Sequence, residues 1–268
     1  MIKLIASDVD GTLLHEGGSD LNPYLFEIIR KLKAHGIRFA VASGRQYESI
    51  RKVFLPVLND IFVIADNGGY IYEKDQLLTS NLMGPEEWHK IREYLKTVPD
   101  TYIMLSSLEG TYTDCRHQEF LDLLEHGYGV KMTFVDDLTE LDIKISKVAV
   151  YTSFGDPMKM AEESRKLFGK EVNVFASGSK WMDFISVNSN KACGLKWLQN
   201  HLGVLPEQTM AFGDNNNDVE MLRCASESYA VAGAKEEAKQ AAKYVMQEGV
   251  ADDGVVHVLE RFLEQMEK

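Results

Sequence analysis

The sequence has few of the residues and patterns that mark several common classes of protein. Its 268 residues include only three cysteines, Cys115, Cys193 and Cys224, an odd number at wide spacing with no CxxC pair. This pattern excludes a disulfide framework and a cysteine zinc site and is typical of a reducing compartment, so we expect a cytoplasmic protein. No apolar run approaches about 18 residues, and the first one stops at Asp8, so we expect neither a membrane-spanning helix nor a signal peptide.

Basic residues are also scarce. Lys and Arg together number 29, against 41 Asp and Glu, which gives a net charge of −12. This balance excludes nucleic acid and anionic membranes as the main partner, because both attract basic surfaces. A small anionic substrate remains compatible if a metal ion or a few lysines reverse the potential locally. At about 150 residues per domain, the length predicts nearly two domains, or one domain with a large insertion.

Short apolar runs alternate with helical patterns at both ends of the chain. These runs predict strands at residues 2–7, 37–42, 61–65, 209–212, 229–232 and 244–246. Helical patterns separate the first three strands, and an amphipathic helix ends the chain. The alternation predicts an α/β fold, a Rossmann-like doubly wound parallel sheet whose ligands bind at the carboxyl edge of the strands.

In the middle of the chain, the order of the predicted helices and strands differs from that at the two ends and does not fit a parallel sheet with crossover connections. Helices are predicted at residues 86–95, 117–124 and 157–168, and strands at 102–106, 147–152, 172–176 and 182–187. We therefore expect an inserted α+β domain at 84–185. The two parts of the core would then be 1–83 and 186–268.

The first strand ends in two acids, Asp8 and Asp10, whose i and i+2 spacing lets both carboxylates converge on one point. Two close acids repel unless a cation lies between them or one is protonated, so a metal site and a nucleophile beside a general acid/base are both possible. A solvated Asp-Gly turn at Gly11 is the alternative. A calcium EF-hand is excluded, because Leu13 and Ser19 stand where Gly and Glu are required.

Three further signals lie at predicted strand ends or at a helix start. Ser43-Gly44-Arg45 precedes a helix and suits an anion cradle, although a plain helix cap is the alternative. Lys191 begins a helix, where a cation opposes the dipole, which favours phosphate contact over a solvated lysine. Residues 213–218, Gly-Asp-Asn-Asn-Asn-Asp, offer oxygen ligands for Mg²⁺, or alternatively form an Asn-rich turn.

These four segments, in this order and spacing, resemble the four motifs of the haloacid dehalogenase superfamily. They are Asp8-Val9-Asp10-Gly11-Thr12-Leu13, Ser43-Gly44-Arg45, Lys191 and residues 213–218. The insertion between the second and third motifs resembles the large cap of the Cof-type branch. One departure is Ala192, since the family often has glycine directly after the lysine.

The resemblance implies a role for each motif residue. Asp8 would be the nucleophile that attacks phosphorus, and Asp10 the general acid/base. Mg²⁺ would be held by Asp8, the backbone carbonyl of Asp10 and Asp214, with Asp218 supporting the site. The phosphoryl oxygens would be held by Val9, Ser43, Gly44, Lys191 and Asn217. Arg45 and Asn67, at strand ends, are candidates for substrate binding or alternatively order their loops.

The resemblance therefore implies a Mg²⁺-dependent phosphatase that hydrolyses a small phosphorylated metabolite through an aspartyl-phosphate. A sugar phosphate is favoured, and a nucleotide-like, flavin or pyridoxal phosphate is the other option. A phosphomutase-type phosphotransferase uses the same residues and stays open as an alternative. So does a non-catalytic protein that binds a phosphometabolite, although every catalytic residue type is present.

Overall fold

The computed structural model describes residues 1–15, 18–127, 130–177 and 179–266. The chain divides into two compact units, one formed by Met1–Ser80 with Asn190–Lys268 and the other by Asn81–Ser189. The inserted unit starts at Asn81 rather than at 84 and ends at Ser189 rather than at 185. One reason for the earlier start is that Met83 pairs with Ile145, so the entering segment already belongs to the insertion.

Within the described residues, the first unit has an eight-stranded sheet. Its strands are β1 (Leu4–Asp8), β2 (Arg38–Ala42), β3 (Ile61–Ala65), β4 (Tyr70–Glu73), β5 (Gln76–Ser80), β12 (Thr209–Gly213), β13 (Glu227–Ala230) and β14 (Tyr244–Val245). Their order across the sheet is β14-β13-β12-β1-β2-β3-β4-β5. The strands from β14 to β3 are parallel, and chain order runs outward from β1 in both directions, which is the predicted doubly wound α/β fold.

The hairpin at one edge of this sheet was not predicted. β4 is antiparallel to both β3 and β5, so the sheet is mixed rather than wholly parallel. Lys74 and Asp75, in the turn between β4 and β5, both have positive φ values, 51° and 63°. Such a turn matches the twist of two hairpin strands.

Helices of the first unit connect its strands. They are α1 (Tyr24–Ala34), α2 (Tyr47–Phe54), α6 (Lys191–Leu202), α7 (Val219–Arg223), α8 (Glu236–Ala241) and α9 (Gly254–Met266). The side chain of Asn190 caps the start of α6 by accepting from the backbone N–H of Cys193 at 2.7 Å, and Gly203, with φ of 62°, ends it. Gly194 lets α6 approach closely, since a Cβ there would lie 2.5 Å from Ile64 Cγ2.

The second unit is an α+β structure, as predicted. Within its described residues the strands are β6 (Thr101–Ser106), β7 (Thr111–Thr113), β8 (Met132–Phe134), β9 (Lys147–Thr152), β10 (Val172–Ala176) and β11 (Trp181–Ser186). Its helices are α3 (Pro85–Leu95), α4 (Gln118–Asp122), a π-helical turn (Leu123–Gly127) and α5 (Pro157–Phe168). The sheet is antiparallel except where β7 pairs with β8.

Each unit has its own apolar core. In the first unit, Leu4, Ala40 and Ile64 from three neighbouring strands pack with Leu195 and Leu198 of α6. In the second, Trp88 and Ile91 of α3 pack against the sheet in a cluster that includes Met182 and Phe184 of β11. In the described part of the chain, none of the helices has the length and apolar character needed to cross a membrane.

Candidate active site

The first strand lies between two neighbours that carry two of the other motifs. β1 pairs in parallel with β12 on one side and with β2 on the other. The chain leaves these three strands at Asp8, Asp214 and Ser43, and the carboxyl ends of parallel strands lie at one edge of a sheet. This strand order brings segments distant in sequence to one edge, as the sequence predicts.

Three aspartates form a cluster at this edge. Each of Asp8, Asp214 and Asp218 offers a carboxylate oxygen, and these atoms all lie within 4.8 Å of one another. Asp8 is only 3% exposed and Asp218 is fully buried. A solvated turn, the alternative for the first motif, is therefore excluded.

Lys191 lies inside this cluster. Its side chain is 1% exposed, and its Nζ donates to the carboxylate of Asp8 and, at 2.6 Å, to Asp218 Oδ1. The positive charge of Lys191 interacts unfavourably with the dipole at the start of α6, and the two buried carboxylates offset this cost. A solvated surface lysine is excluded.

The local electrostatics of the cluster favour additional positive charge. Burial, the nearby carboxylate of Asp218 and that of Asp214 raise the pKa of Asp8 well above its ordinary value, against the lowering effect of Lys191. Burial, followed by Asp218, also raises the pKa of Asp214. Burial alone would lower the pKa of Lys191, but Asp218 and Asp8 outweigh it and the pKa is raised.

The donor set fits a divalent cation. Three carboxylates share a buried space with one ammonium group, so ionisation of all three leaves an excess of negative charge. Hard cations such as Mg²⁺ prefer oxygen ligands of this kind. Asp218 already uses Oδ1 for Lys191 and Oδ2 for the backbone N–H groups of Asp214 and Asn215, so it is suited to support rather than to ligate.

The carboxylate of Asp10, the second acid of the motif, pairs with the guanidinium group of Arg45. The guanidinium donates from Nε to Asp10 Oδ2 at 2.7 Å and from one terminal nitrogen to Oδ1 at 2.5 Å. The same terminal nitrogen donates to the carbonyl of Gly18 at 2.7 Å. These contacts can order the loop, and the substrate-binding role of Arg45 stays a prediction.

The predicted phosphate-binding residues Val9, Ser43, Gly44 and Asn217 follow β1, β2 and β12, strands that end at this edge of the sheet. Val9 and Ser43 are each 1% exposed, and the hydroxyl of Ser43 accepts from the backbone N–H of Arg45 at 3.1 Å. Asn217 is exposed, and its Nδ2 donates to Oδ1 of Asn67 at 3.0 Å. Asn67 also approaches Gly44, whose added Cβ would lie 3.1 Å from the Asn67 Nδ2. Asn67 therefore links the second and fourth motifs.

Two residues of the site were not assigned a role from the sequence. Thr12 belongs to the first motif, and its hydroxyl donates to Asp214 Oδ1 at 2.9 Å. Gly68 has φ of 95°, and a Cβ there would overlap the carbonyl group of Asn190, the residue that caps α6 just before Lys191. The only signal for Gly68 was the polar run that follows β3, which does not indicate what the glycine approaches.

This doubly wound core, with acids and a buried lysine at its carboxyl edge, has the arrangement expected of a haloacid dehalogenase-like hydrolase. The family model of haloacid dehalogenase-like hydrolases matches residues 5–259. The chain therefore belongs to this family, which confirms the resemblance inferred from the motifs.

Similar proteins agree with this assignment. The phosphatase YbjI of Escherichia coli strain K12, named for 5-amino-6-(5-phospho-D-ribitylamino)uracil, is 29% identical over 91% of this chain and 90% of its own. A crystal structure from Eubacterium rectale has a TM-score of 0.90 and 31% identity, covering 97% of this chain and 99% of that one. A haloacid dehalogenase-like hydrolase from Bacteroides thetaiotaomicron shares the fold at 24% identity (TM-score 0.83, 98% of this chain and 100% of that one). The chain is a phosphatase.

Proposed function

We propose that this phosphatase is Mg²⁺-dependent and hydrolyses a small phosphorylated metabolite through an aspartyl-phosphate on Asp8. The observation that carries the proposal is the buried carboxylate of Asp8, held by the ammonium group of Lys191 within a cluster of acids. A carboxylate and a phosphate ester repel each other in water, so direct attack requires positive charge at the meeting point.

The metal would be held by Asp8, Asp214 and the backbone carbonyl of Asp10. Bound there, Mg²⁺ supplies positive charge that offsets the repulsion between two anions and stabilises the transferring phosphoryl group. Asp218 would hold Lys191 and the backbone after β12 in place, since its oxygens already accept from these groups.

In the first step, a carboxylate oxygen of Asp8 forms a bond to phosphorus while the ester P–O bond breaks. The leaving oxygen takes a proton from Asp10, and the alcohol departs. In the second step, Asp10 accepts a proton from the water that attacks the aspartyl-phosphate, which regenerates Asp8 and releases inorganic phosphate. General acid/base help of this kind contributes about 10²–10⁴-fold to the rate.

The remaining residues would bind the phosphoryl oxygens. Lys191 supplies a charge, while Ser43, Gly44 and the backbone of Val9 lie at neighbouring strand ends and can supply hydrogen-bond donors. Asn217 would complete the set, oriented by its contact with Asn67.

We favour a sugar phosphate as the substrate. A second candidate is a sugar-alcohol phosphate carrying a pyrimidine, because the Escherichia coli relative is named for such a compound. Both present a phosphate ester on a polyhydroxylated carbon skeleton. We also propose a cytoplasmic location, which the three free cysteines support.

A panel of phosphorylated metabolites, measured with and without Mg²⁺, tests the proposal. We expect Mg²⁺-dependent phosphate release that Asp8→Asn abolishes and that the exposed control Asp136→Asn leaves unchanged. Mass spectrometry of acid-quenched enzyme should find phosphate on Asp8. Isomerised sugar phosphate without free phosphate would instead identify a phosphotransferase, and tight binding without turnover would identify a binding protein.

A further inference from the structure

The guanidinium group of Arg45 holds the Asp10 carboxylate in a two-pronged contact. Nε and one terminal nitrogen each donate to a different oxygen of Asp10, at 2.7 and 2.5 Å. Paired contacts of this geometry fix the plane of the carboxylate as well as its position. Rotation of the Asp10 carboxylate would break at least one of them.

Arg45 is also anchored from a second direction. The terminal nitrogen that contacts Asp10 donates at 2.7 Å to the carbonyl of Gly18, in the segment that follows the first motif. The Arg45 side chain is only 16% exposed, against 27% for Asp10. Because Arg45 is largely buried and contacts two partners, water in its place would not hold the Asp10 carboxylate in one orientation.

The same contacts bear on proton transfer by Asp10. Because the two hydrogen bonds from Arg45 fix the plane of the Asp10 carboxylate, they also fix the directions in which its oxygens can hold or give up a proton.

We propose that Arg45 is a positioning residue that acts on the reaction through Asp10 and not by binding the substrate. This inference rests on the proposed function, in which Asp10 protonates the leaving oxygen. It goes beyond that function because it gives Arg45 the role of orienting the general acid Asp10.

Leaving-group acidity provides a test that a purely structural role would not affect. Phenyl phosphate and 4-nitrophenyl phosphate have nearly the same shape, but nitrophenolate departs readily without a proton, whereas phenolate needs one. The comparison is made in kcat/KM, which reports the first step and not the later hydrolysis of the aspartyl-phosphate that both substrates share. A misplaced acid lowers kcat/KM for phenyl phosphate alone, whereas a lost substrate contact lowers it for both substrates.

The variants are Arg45→Met, Arg45→Lys and the control Arg51→Met. Arg51 lies in α2, outside the site, and its Nε donates at 2.9 Å to the exposed carboxylate of Asp75. Thermal unfolding and Mg²⁺ binding establish that each variant is folded. Arg45→Lys keeps the charge but cannot contact both oxygens in the same plane.

For Arg45→Met we expect kcat/KM with phenyl phosphate to fall by about 10- to 100-fold, a part of the full general-acid effect. With 4-nitrophenyl phosphate we expect kcat/KM to fall by less than about threefold. Arg45→Lys should give an intermediate loss with phenyl phosphate, and Arg51→Met none.

A double-mutant cycle completes the test. If Arg45 acts through Asp10, Arg45→Met adds no further loss of phenyl phosphate turnover once Asp10→Asn is present. Equal losses of kcat/KM on both substrates, or additive losses in the cycle, would overturn the inference while leaving the phosphatase intact. Phosphate release that survives Asp8→Asn would overturn the proposed function and this inference with it.

Discussion

Gly11 lies directly against the carboxylate of Asp214. A Cβ on Gly11 would come within 2.7 Å of the Asp214 carboxyl carbon and 2.9 Å of Oδ1, and φ at Gly11 is 87°. The turn after the first acids therefore needs glycine at this position for two reasons: the positive φ of the backbone, and the space that the Asp214 carboxylate occupies. The position of one proposed metal ligand thus depends on the absence of a side chain in another motif.

Gly11→Ala should weaken Mg²⁺ binding by at least about tenfold, because Asp214 must move away from Asp8. Gly36→Ala is the matched control, since Gly36 has a similar φ of 77° but no atom within 4 Å of an added Cβ. We expect the control to lose about 1–2 kcal/mol of stability from backbone strain and to bind Mg²⁺ normally. Calorimetric titration distinguishes the two, and equal Mg²⁺ affinities would contradict the argument.

Lys191→Met should destabilise the metal-free protein by about 3–5 kcal/mol, because it leaves the carboxylates of Asp8 and Asp218 buried without their ion pair. Added Mg²⁺ should recover part of this loss by supplying positive charge to the same cluster. Urea unfolding with and without Mg²⁺ measures both effects. A stability loss below about 1 kcal/mol, as for an exposed pair, would show that the ion pair contributes little.

Mg²⁺ binding should be pH-dependent and should release protons. Burial and the carboxylate of Asp218 raise the pKa of both Asp8 and Asp214, so the metal-free protein holds these protons above the ordinary aspartate pKa of about 3.9. Because the pKa is raised in the folded state, the associated stability is complete below about pH 3.9 and is lost as pH rises through the raised values. Mg²⁺ affinity should change in the opposite direction and increase over the same window.

Calorimetry in two buffers of different ionisation enthalpy gives the number of protons released on Mg²⁺ binding. We expect release at pH values near the raised pKa of Asp8 and none well above it. A Mg²⁺ affinity that does not vary with pH would contradict the assignment of these two aspartates as ligands.

Asn67→Gly tests whether Asn67 orients Asn217. The positive φ of Asn67, 54°, suits glycine, so the substitution removes the amide contact without backbone strain. We expect inhibition by inorganic phosphate to weaken by about three- to tenfold, the value of one or two hydrogen bonds, with little change in stability. Asp253→Gly, at φ of 53°, is the control. Unchanged phosphate inhibition in Asn67→Gly would show that Asn217 needs no such support.

The sequence predicted the parallel strands well because they are short apolar runs with polar residues at their carboxyl ends. The predicted bounds agree with the structure for β3 of the parallel sheet, and also for β9 and β10 of the antiparallel sheet in the inserted unit, since each is a compact apolar or alternating run. The β4–β5 hairpin was missed because β5 is largely polar and exposed, as an edge strand can be. β7 and β8, with three residues each, are too short to give a periodic signal.

The sequence also identified the residues that the structure brings together, but not what each side chain contacts. The i and i+2 spacing placed Asp8 and Asp10 on one loop, yet they have separate partners, Lys191 and Arg45. The role of Gly68 depends on a close approach to Asn190, which follows only from the packing of α6. Contacts between distant segments of this kind have no local sequence pattern.

The position of β1 between β2 and β12 has a consequence for synthesis of the protein. The carboxylate of Asp8 is made before the inserted unit, but its neighbours Lys191 and Asp214 leave the ribosome only after that whole unit has been translated. A nascent chain that stops before residue 209 has an unpaired edge on β1 and lacks Asp214 and Asp218 of the aspartate cluster. Phosphatase activity should therefore arise late, when the last third of the polypeptide adds its strands beside the first.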